Sequence, residues 1–553
     1  MPKLDTTEDI AKPVQQDIVE VKIQSNEKAV QLYQQAADLG YLPAMYSLAV
    51  MYEQGTGIEK DVKKAVELYI NAANQGHLNS QHTLGLIYEE GFIVQQNYET
   101  SMDWYEKAAE QNLPEAMHNI GRLYARGYGV QKDYKTAMEW YLKAANLGFG
   151  LSEYCIGALY YDGNGVEQND SIAIDWWRKA ADHGLSSAQY KLGQFYLRGT
   201  DLIEKDVQEA IRILTLAADK GHAASQELLG SIYTNGREIE PDFKKGFLYN
   251  RLAGEQGLDL AQHNVGYLFA SGKGVEQDYV LAAEWYKLAA AQGFHLSQYN
   301  LALMYQQGRG VEQNYEKALE YFQKAADQGY ASAQHSIGKM YADGHGVPQC
   351  YTTAILWYEK AADQGLEEAI HNLGRLYYQG NGVEQDYEKA LSLYTLSASK
   401  GLAASQHNIA LMYDYGTGVE QSDTKAIEYY TKAVEQGHSN AMNNLALKFE
   451  DGKGVEQDLN RAMALYMTAA KLGLAVAQFN VGRMYEYGKG VPASDYYAAF
   501  WYKKSADQGY PRGLHNLGQI YSYGPRIEKF EQKEDVSEPM GPIVDEQPII
   551  GEQ

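Results

Sequence analysis

The sequence has few cysteines and no long hydrophobic run. Its 553 residues include two cysteines, Cys155 and Cys350, so a framework of several disulfides is excluded and a reducing compartment fits. No apolar run reaches the roughly 18 residues of a membrane-spanning helix. Residues 1–13 lack the apolar segment of a secretory signal, and the last three residues match no lipidation or ER-retention sequence. These absences predict a cytoplasmic protein without direct membrane insertion.

Positive charge is scarce relative to negative charge. The chain has 48 Lys and Arg against 72 Asp and Glu, and its formal net charge is -24 at pH 7. An acidic surface repels phosphate backbones and anionic membranes, so we expect no nucleic-acid partner. The sequence also lacks a nucleophile elbow, a phosphate-binding loop and a closely spaced cysteine pair. We therefore predict no enzymatic activity, no cofactor and no metal.

One short pattern recurs along the chain: Leu, Ile or Val, then Gly or Ala, then two residues of any type, then Tyr or Phe. Its aromatic ends follow each other at intervals of 36 residues, except for 37 between Tyr196 and Tyr233. A fixed period of this length is typical of repeat solenoids. We predict an all-α fold, an α/α solenoid superhelix of about thirteen 36-residue helix-turn-helix repeats that begin near Ala44. A further first helix, 513–521, has no second helix.

The local chemistry of a repeat is clear in residues 369–401. Residues 369–377 place apolar side chains on one stripe of a first helix, and Gly374 there permits close approach of the second helix. Gly380 ends this helix, and Gly382 permits a positive φ in the turn. Asp386 then caps the second helix. Because the Gly-x-Gly-Val turns follow a helix, they are helix stops and not dinucleotide-binding loops.

The repeat pattern predicts four segments. Residues 1–25 are polar and are predicted to be disordered, and residues 26–43 form an incomplete first repeat with a second helix only. The repeat solenoid occupies 44–524. Residues 525–553 are acidic and contain proline, so we predict a disordered tail.

The repeat resembles a known family. The string Ala-x-x-x-Leu-Gly-x-x-Tyr-x-x-Gly-x-Gly-Val-x-x-Asp-Tyr-x-x-Ala is similar to the Sel1-like repeat, a relative of the tetratricopeptide repeats, and residues 261–293 match it nearly in full. The resemblance extends over about nine tenths of the chain. It implies a superhelix of paired helices and an adaptor role in assembling protein complexes. Cysteine-rich members carry paired cysteines in each repeat, which this chain lacks, so the activities of that branch are not carried over.

Helical geometry predicts a binding surface. With Ala369 as position one of a first helix, positions three, four, seven, ten and eleven point away from the core. We predict that this face lines the concave groove of the superhelix. Position four is mostly Asn, a mediocre helix former whose amide suits an extended peptide backbone. The predicted contacts are Asn264, Asn300, Asn372, Asn408, Asn444, Asn480 and Asn516. Alternatively, each Asn bonds a neighbouring turn or helix within the solenoid.

Histidine and arginine also lie on this face. Position three is often His, and His335, His371 and His407 are candidate groove residues or, alternatively, inter-repeat packing residues. They cannot share one metal ion, because adjacent first helices lie roughly 10 Å apart and a Zn–N bond is about 2 Å. Position seven contributes Arg375 and Arg483, which we predict to select a carboxylate or an acidic peptide.

Together these patterns predict a cytoplasmic protein-interaction scaffold or adaptor that holds a protein or peptide in its concave groove, with a monomer favoured. One alternative is a regulatory subunit or activator of a membrane-associated enzyme, similar to chitin-synthase regulators, although the chain lacks their lipidation-type ending. A second is a secreted bacterial effector that binds host proteins. A third is a glycan- or peptidoglycan-related binder or hydrolase, against which the missing signal peptide and the missing paired-carboxylate pocket both count.

Overall fold

A computed structural model of the chain describes residues 25–522. In that range the chain forms 28 helices and no strand, and the first helix, α1, covers 25–38. The described residues divide into two compact units, with the boundary between Gln277 and Asp278. Each unit is a solenoid in which consecutive helices contact each other, so the predicted all-α repeat fold is confirmed.

In the first unit, α1 is followed by thirteen helices that alternate between the first and second helix of a repeat. They are α2 (Leu42–Gln54), α3 (Val62–Asn74), α4 (Leu78–Glu90), α5 (Tyr98–Glu110), α6 (Pro114–Arg126), α7 (Tyr134–Ala145), α8 (Gly150–Asp162), α9 (Asp170–Asp182), α10 (Ser186–Arg198), α11 (Val207–Asp219), α12 (Ala223–Asn235), α13 (Phe243–Glu255) and α14 (Asp259–Ser271).

The second unit begins with a second helix and ends with a first helix that has no partner after it within the described range. Its helices are α15 (Tyr279–Ala291), α16 (His295–Gln307), α17 (Tyr315–Asp327), α18 (Ala331–Asp343), α19 (Tyr351–Asp363), α20 (Glu367–Gln379), α21 (Tyr387–Ser399), α22 (Ala403–Tyr415), α23 (Asp423–Glu435), α24 (Ser439–Asp451), α25 (Leu459–Lys471), α26 (Ala475–Tyr487), α27 (Asp495–Asp507) and α28 (Pro511–Ser522).

The helix ends follow the predicted turn chemistry. The side chain of Asp386 accepts a hydrogen bond of 2.8 Å from the backbone N–H of Lys389 and so caps α21. Gly380 and Gly382 adopt φ values of 70° and 75°, as the turn requires. The first helices begin two residues earlier than predicted. The residue before them is extended; Leu366 makes no side-chain cap bond, whereas the ring of His438 accepts from the backbone N–H of Ala441.

The core of each unit consists of small residues packed against aromatic rings. Tyr358 of α19 is fully buried against Gly338 of α18, where an added Cβ would lie 2.7 Å from the ring. The predicted reason for glycine at this position of the repeat, close approach of the second helix, is therefore confirmed. Position two is also buried, which the helical projection did not predict; Ile370 is an example.

The predicted disordered segments, 1–25 and 525–553, lie outside the described residues except for residue 25, which is helical. Within the described range, no helix is both long enough and apolar enough to cross a membrane.

Candidate functional site

The candidate site is the first-helix face, defined as positions three, four, seven, ten and eleven of the first helices, the even-numbered ones. Position one is the third residue of each helix, such as Ala369 in α20. The predicted site residues Asn300, Asn372, Asn408 and Arg375 are half-buried there, and Asn480 is buried. Side chains on this face therefore contact both solvent and the neighbouring repeat.

Position-four asparagines bond to the histidines of the preceding repeat. The Asn amide nitrogen donates to His Nε2 in three pairs: Asn119 to His82 at 3.0 Å, Asn372 to His335 at 2.7 Å and Asn444 to His407 at 3.2 Å. We call these pairs the polar ladder. They show that part of the hydrogen-bonding capacity of these amides is used within the solenoid. In Asn444 the oxygen also accepts from the Asn443 amide at 3.3 Å, and the nitrogen also donates to the Tyr430 hydroxyl at 3.4 Å. Partner contact by these amides therefore stays a prediction.

Other asparagines bond to different neighbours. Their amide nitrogens donate as follows: Asn264 to Oδ1 of Asn250 at 3.1 Å, Asn480 to Oδ1 of Asn443 at 2.9 Å and Asn516 to the hydroxyl of Tyr502 at 3.1 Å. Asn408 forms a side-chain hydrogen bond with Tyr394. Position four therefore connects neighbouring helices in both units.

The predicted histidines are half-buried on this face, and their contact with a partner stays a prediction. Burial, as the main cause, lowers the pKa of His335, His371 and His407 to about 4. A neutral ring presents one bare nitrogen, which accepts from the Asn of the ladder. The other nitrogen also finds a partner in some repeats: Nδ1 of His371 lies 2.8 Å from Oγ of Ser405. Within residues 25–522, no cluster of three or more His, Cys, Asp or Glu side chains could hold a metal ion.

In some repeats, position ten carries a carboxylate that connects successive repeats. The hydroxyl of Tyr105 donates to Glu89 at 2.8 Å, and Arg122 of the following repeat pairs with the same carboxylate at 2.8 Å. In the second unit, Glu450 accepts from the hydroxyl of Tyr466 at 3.0 Å and pairs with Arg483. Each acid therefore binds a phenol of its own repeat and a guanidinium of the next one.

The predicted carboxylate-selecting arginines thus differ. Arg483 is neutralised by Glu450, whose side chain is only 2% exposed. Arg375 has no ion pair within the described residues, because Ala342 stands at position ten of the preceding repeat. Arg375 instead lines a pocket of about 190 Å³ together with Tyr378, Gln379, Tyr394, Asn408 and Leu411. Of the two predicted cations, Arg375 is the one without an internal counter-ion.

Sequence reasoning missed a second polar series at position two. Gln478 is buried, and its amide nitrogen donates to the carbonyl of Ala470 at 3.2 Å. Its oxygen accepts from Gln508 at 2.8 Å. The recurrence of Gln at position two and again 30 residues later was the signal for this series. These glutamines satisfy buried backbone groups and belong to the scaffold.

Comparison with known families identifies this architecture. The Sel1 repeat model matches the chain fourteen times, once as a fragment at 22–41 and then almost continuously from 42 to 510. The chain belongs to the Sel1 repeat family. Sel1 repeats generally serve protein–protein interaction, and proteins built from them are typically non-catalytic scaffolds. Among curated proteins, the comparison finds no match.

Solved structures of Sel1 repeat proteins are similar to this chain. The crystal structure of c5321, a protective antigen of uropathogenic Escherichia coli with an SLR fold, is 32% identical, with a TM-score of 0.65. The match covers 78% of this chain and 92% of c5321. A Sel1 repeat protein from Oxalobacter formigenes is also 32% identical, with a TM-score of 0.46, and the match covers 56% of this chain and 90% of that one.

Proposed function

We propose that this Sel1 repeat protein is an interaction scaffold or adaptor that binds a protein partner on the first-helix face of its second unit. The observation that carries the proposal is a set of recognition groups on that face that are exposed or lack an internal ion pair. Arg375 has no internal counter-ion, and Tyr415 and Tyr487 at position eleven are 73% and 62% exposed. Tyrosine and arginine are the residues that most often contribute large shares of binding energy in protein interfaces.

The opposite surface offers a poorer candidate. Leu356 of α19 and Leu396 of α21 are exposed on second helices, but they stand singly, as is normal for a protein surface. The first-helix face instead contributes a phenol, two carboxamides and a cation to one pocket. This mixture is suited to both backbone and side-chain groups of a bound polypeptide.

Affinity capture with mass spectrometry tests the proposal when the two faces are compared. Tyr415→Ser with Tyr487→Ser changes the first-helix face without touching the polar ladder. Leu356→Ser with Leu396→Ser is the matched control on second helices of the same unit. We expect partners of the unmodified protein to be lost with the tyrosine variant and retained with the leucine variant. Retention by the tyrosine variant together with loss from the leucine variant would overturn the proposal.

We also propose that the protein acts as a cytoplasmic monomer. Both Cys155 and Cys350 are free thiols, which suits a reducing compartment. Cell fractionation tests the location, and light scattering of the purified chain tests the molecular mass. A membrane-bound or a dimeric protein would contradict the proposal.

A further inference from the structure

Arg375 lies where sister repeats hold an internal ion pair. Arg122 and Arg483, at the same position seven, each pair with a carboxylate at position ten of the preceding repeat. The corresponding residue before Arg375 is Ala342, which is buried. The Nε atom is buried without a partner in all three arginines. They differ in the terminal guanidinium nitrogens, which pair with a carboxylate in Arg122 and Arg483 but not in Arg375.

The neighbouring phenol confirms that an acid is missing at this level of the solenoid. Tyr105 and Tyr466 donate to the position-ten carboxylate of their own repeats. The equivalent hydroxyl, that of Tyr358, is buried and has no hydrogen-bond partner. A buried, unpaired phenol and an unpaired guanidinium both carry a free-energy cost that a carboxylate would remove. Two donors of the sister sites are thus present here without their acceptor.

The side chains that line the pocket of Arg375 carry no negative charge. Its pocket of about 190 Å³ is lined by two phenols, two carboxamides and Leu411, and no carboxylate lines it. Lys339, at position seven one repeat earlier, is exposed and adds positive charge to the same face. Asp343, four residues after Lys339, is also exposed on this face, so the unpaired positive charge at the pocket is that of Arg375 itself. Local positive charge in a partly desolvated pocket favours an anionic group.

We propose that Arg375 and its pocket bind a carboxylate supplied by the protein partner, which neutralises the guanidinium as an internal acid does in the sister repeats. The guanidinium pairs with the carboxylate, and the hydroxyl of Tyr394 and the amide of Asn408 line the same pocket and supply further hydrogen-bonding groups. The carboxylate comes either from an acidic side chain or from the C-terminus of the partner. The inference rests on the proposed function, because it names the chemistry by which the first-helix face recognises its partner.

Ligand-observed NMR with small probes tests this site without any partner. N-acetylglutamic acid α-amide presents only a side-chain carboxylate, N-acetylalanine presents only an α-carboxylate, and N-acetylglutamine α-amide is the neutral control. We expect millimolar binding of at least one carboxylate probe to the full chain and none of the neutral probe. The carboxylate probe that binds identifies the source of the group.

Two substitutions then decide whether Arg375 holds the probe. Arg375→Gln removes the cation, and Ala342→Glu supplies the internal acid of the sister repeats; each should weaken carboxylate binding by about tenfold or more. Ala342→Gln, which adds equal bulk without charge, should bind like the unmodified protein. Circular dichroism checks that each variant remains folded. Equal carboxylate binding by the unmodified protein and Arg375→Gln, or no binding to either, would overturn the inference. Because no partner is present, failure here leaves the capture experiment above as a separate test of the proposed function.

Discussion

Removal of Glu450 tests the structural role of the position-ten acids. Its carboxylate accepts from the hydroxyl of Tyr466 at 3.0 Å, pairs with Lys489 at 2.9 Å and pairs with Arg483. Its side chain is 2% exposed, so Glu450→Ala leaves three donors without their shared acceptor in a buried site. Breaking a buried ion pair from one side costs about 3–5 kcal/mol. We therefore expect a large local destabilisation of α24–α26.

Amide hydrogen exchange is the suitable assay, because a solenoid opens locally and has no single unfolding free energy. A loss of about 3 kcal/mol accelerates exchange of amides that open with α24–α26 by about a hundredfold. Helices α2 and α3 of the first unit serve as an internal standard. The control is Glu456→Ala, which removes an exposed glutamate of the second unit. If Glu450→Ala and the control exchange at similar rates, the buried acid does not hold these repeats together.

Three further predictions concern titration and packing. Because the folded pKa of His335, His371 and His407 is about 4 against 6.5 unfolded, their neutral forms stabilise the fold above pH 6.5. This stability, about 3 kcal/mol for each His, is lost as the pH falls towards 4, so the melting temperature should fall over that range. Replacing all three by Phe, the residue at position 479, should make the melting temperature less dependent on pH. An unchanged pH dependence would contradict this account. Hydrogen bonds from Thr352 and Thr353 lower the pKa of Cys350 to about 7, whereas burial raises the pKa of Cys155 to about 11. Peptide mapping after iodoacetamide treatment should show half-maximal alkylation of Cys350 near pH 7 and no alkylation of Cys155 at neutral pH. Faster alkylation of Cys155 than of Cys350 would refute this prediction. Gly338→Ala should destabilise the fold by about 1–3 kcal/mol, because the added Cβ would lie 2.7 Å from the ring of Tyr358; hydrogen exchange of α18 and α19 measures this loss. Gly518→Ala, at the same repeat position in α28 but with open space around it, should not change the stability. Equal effects of the two substitutions would contradict close packing as the reason for glycine.

The fold was predictable because the same local sequence features recur in every 36-residue unit. The left-handed glycines, the Asx caps and the small residue opposite an aromatic ring act within one helical hairpin, so a single period reveals them. Asn112 illustrates how local the signal is. It replaces the usual glycine at the end of a second helix and is the sole non-glycine residue with positive φ in the described range.

The site was predictable only in part, because its polar contacts join residues of different repeats. The position of Asn372 on the first-helix face follows from the helical period, but its bond to His335 depends on the distance between neighbouring helices. The same limit applies to Arg375 and Arg483, which look equivalent in sequence. Their difference is decided by residues 33 positions earlier, Ala342 and Glu450 respectively. Only the packed structure shows that these positions meet.

Site-specific photocrosslinking tests the central claim, that the partner lies on the first-helix face, most directly. A photoreactive p-benzoylphenylalanine is introduced either at Gln379, which is exposed and lines the Arg375 pocket, or at Leu356 on a second helix. Our account predicts that partner protein is crosslinked from position 379 and not from position 356. Crosslinking from position 356 alone, or equal yields from both positions, would contradict it.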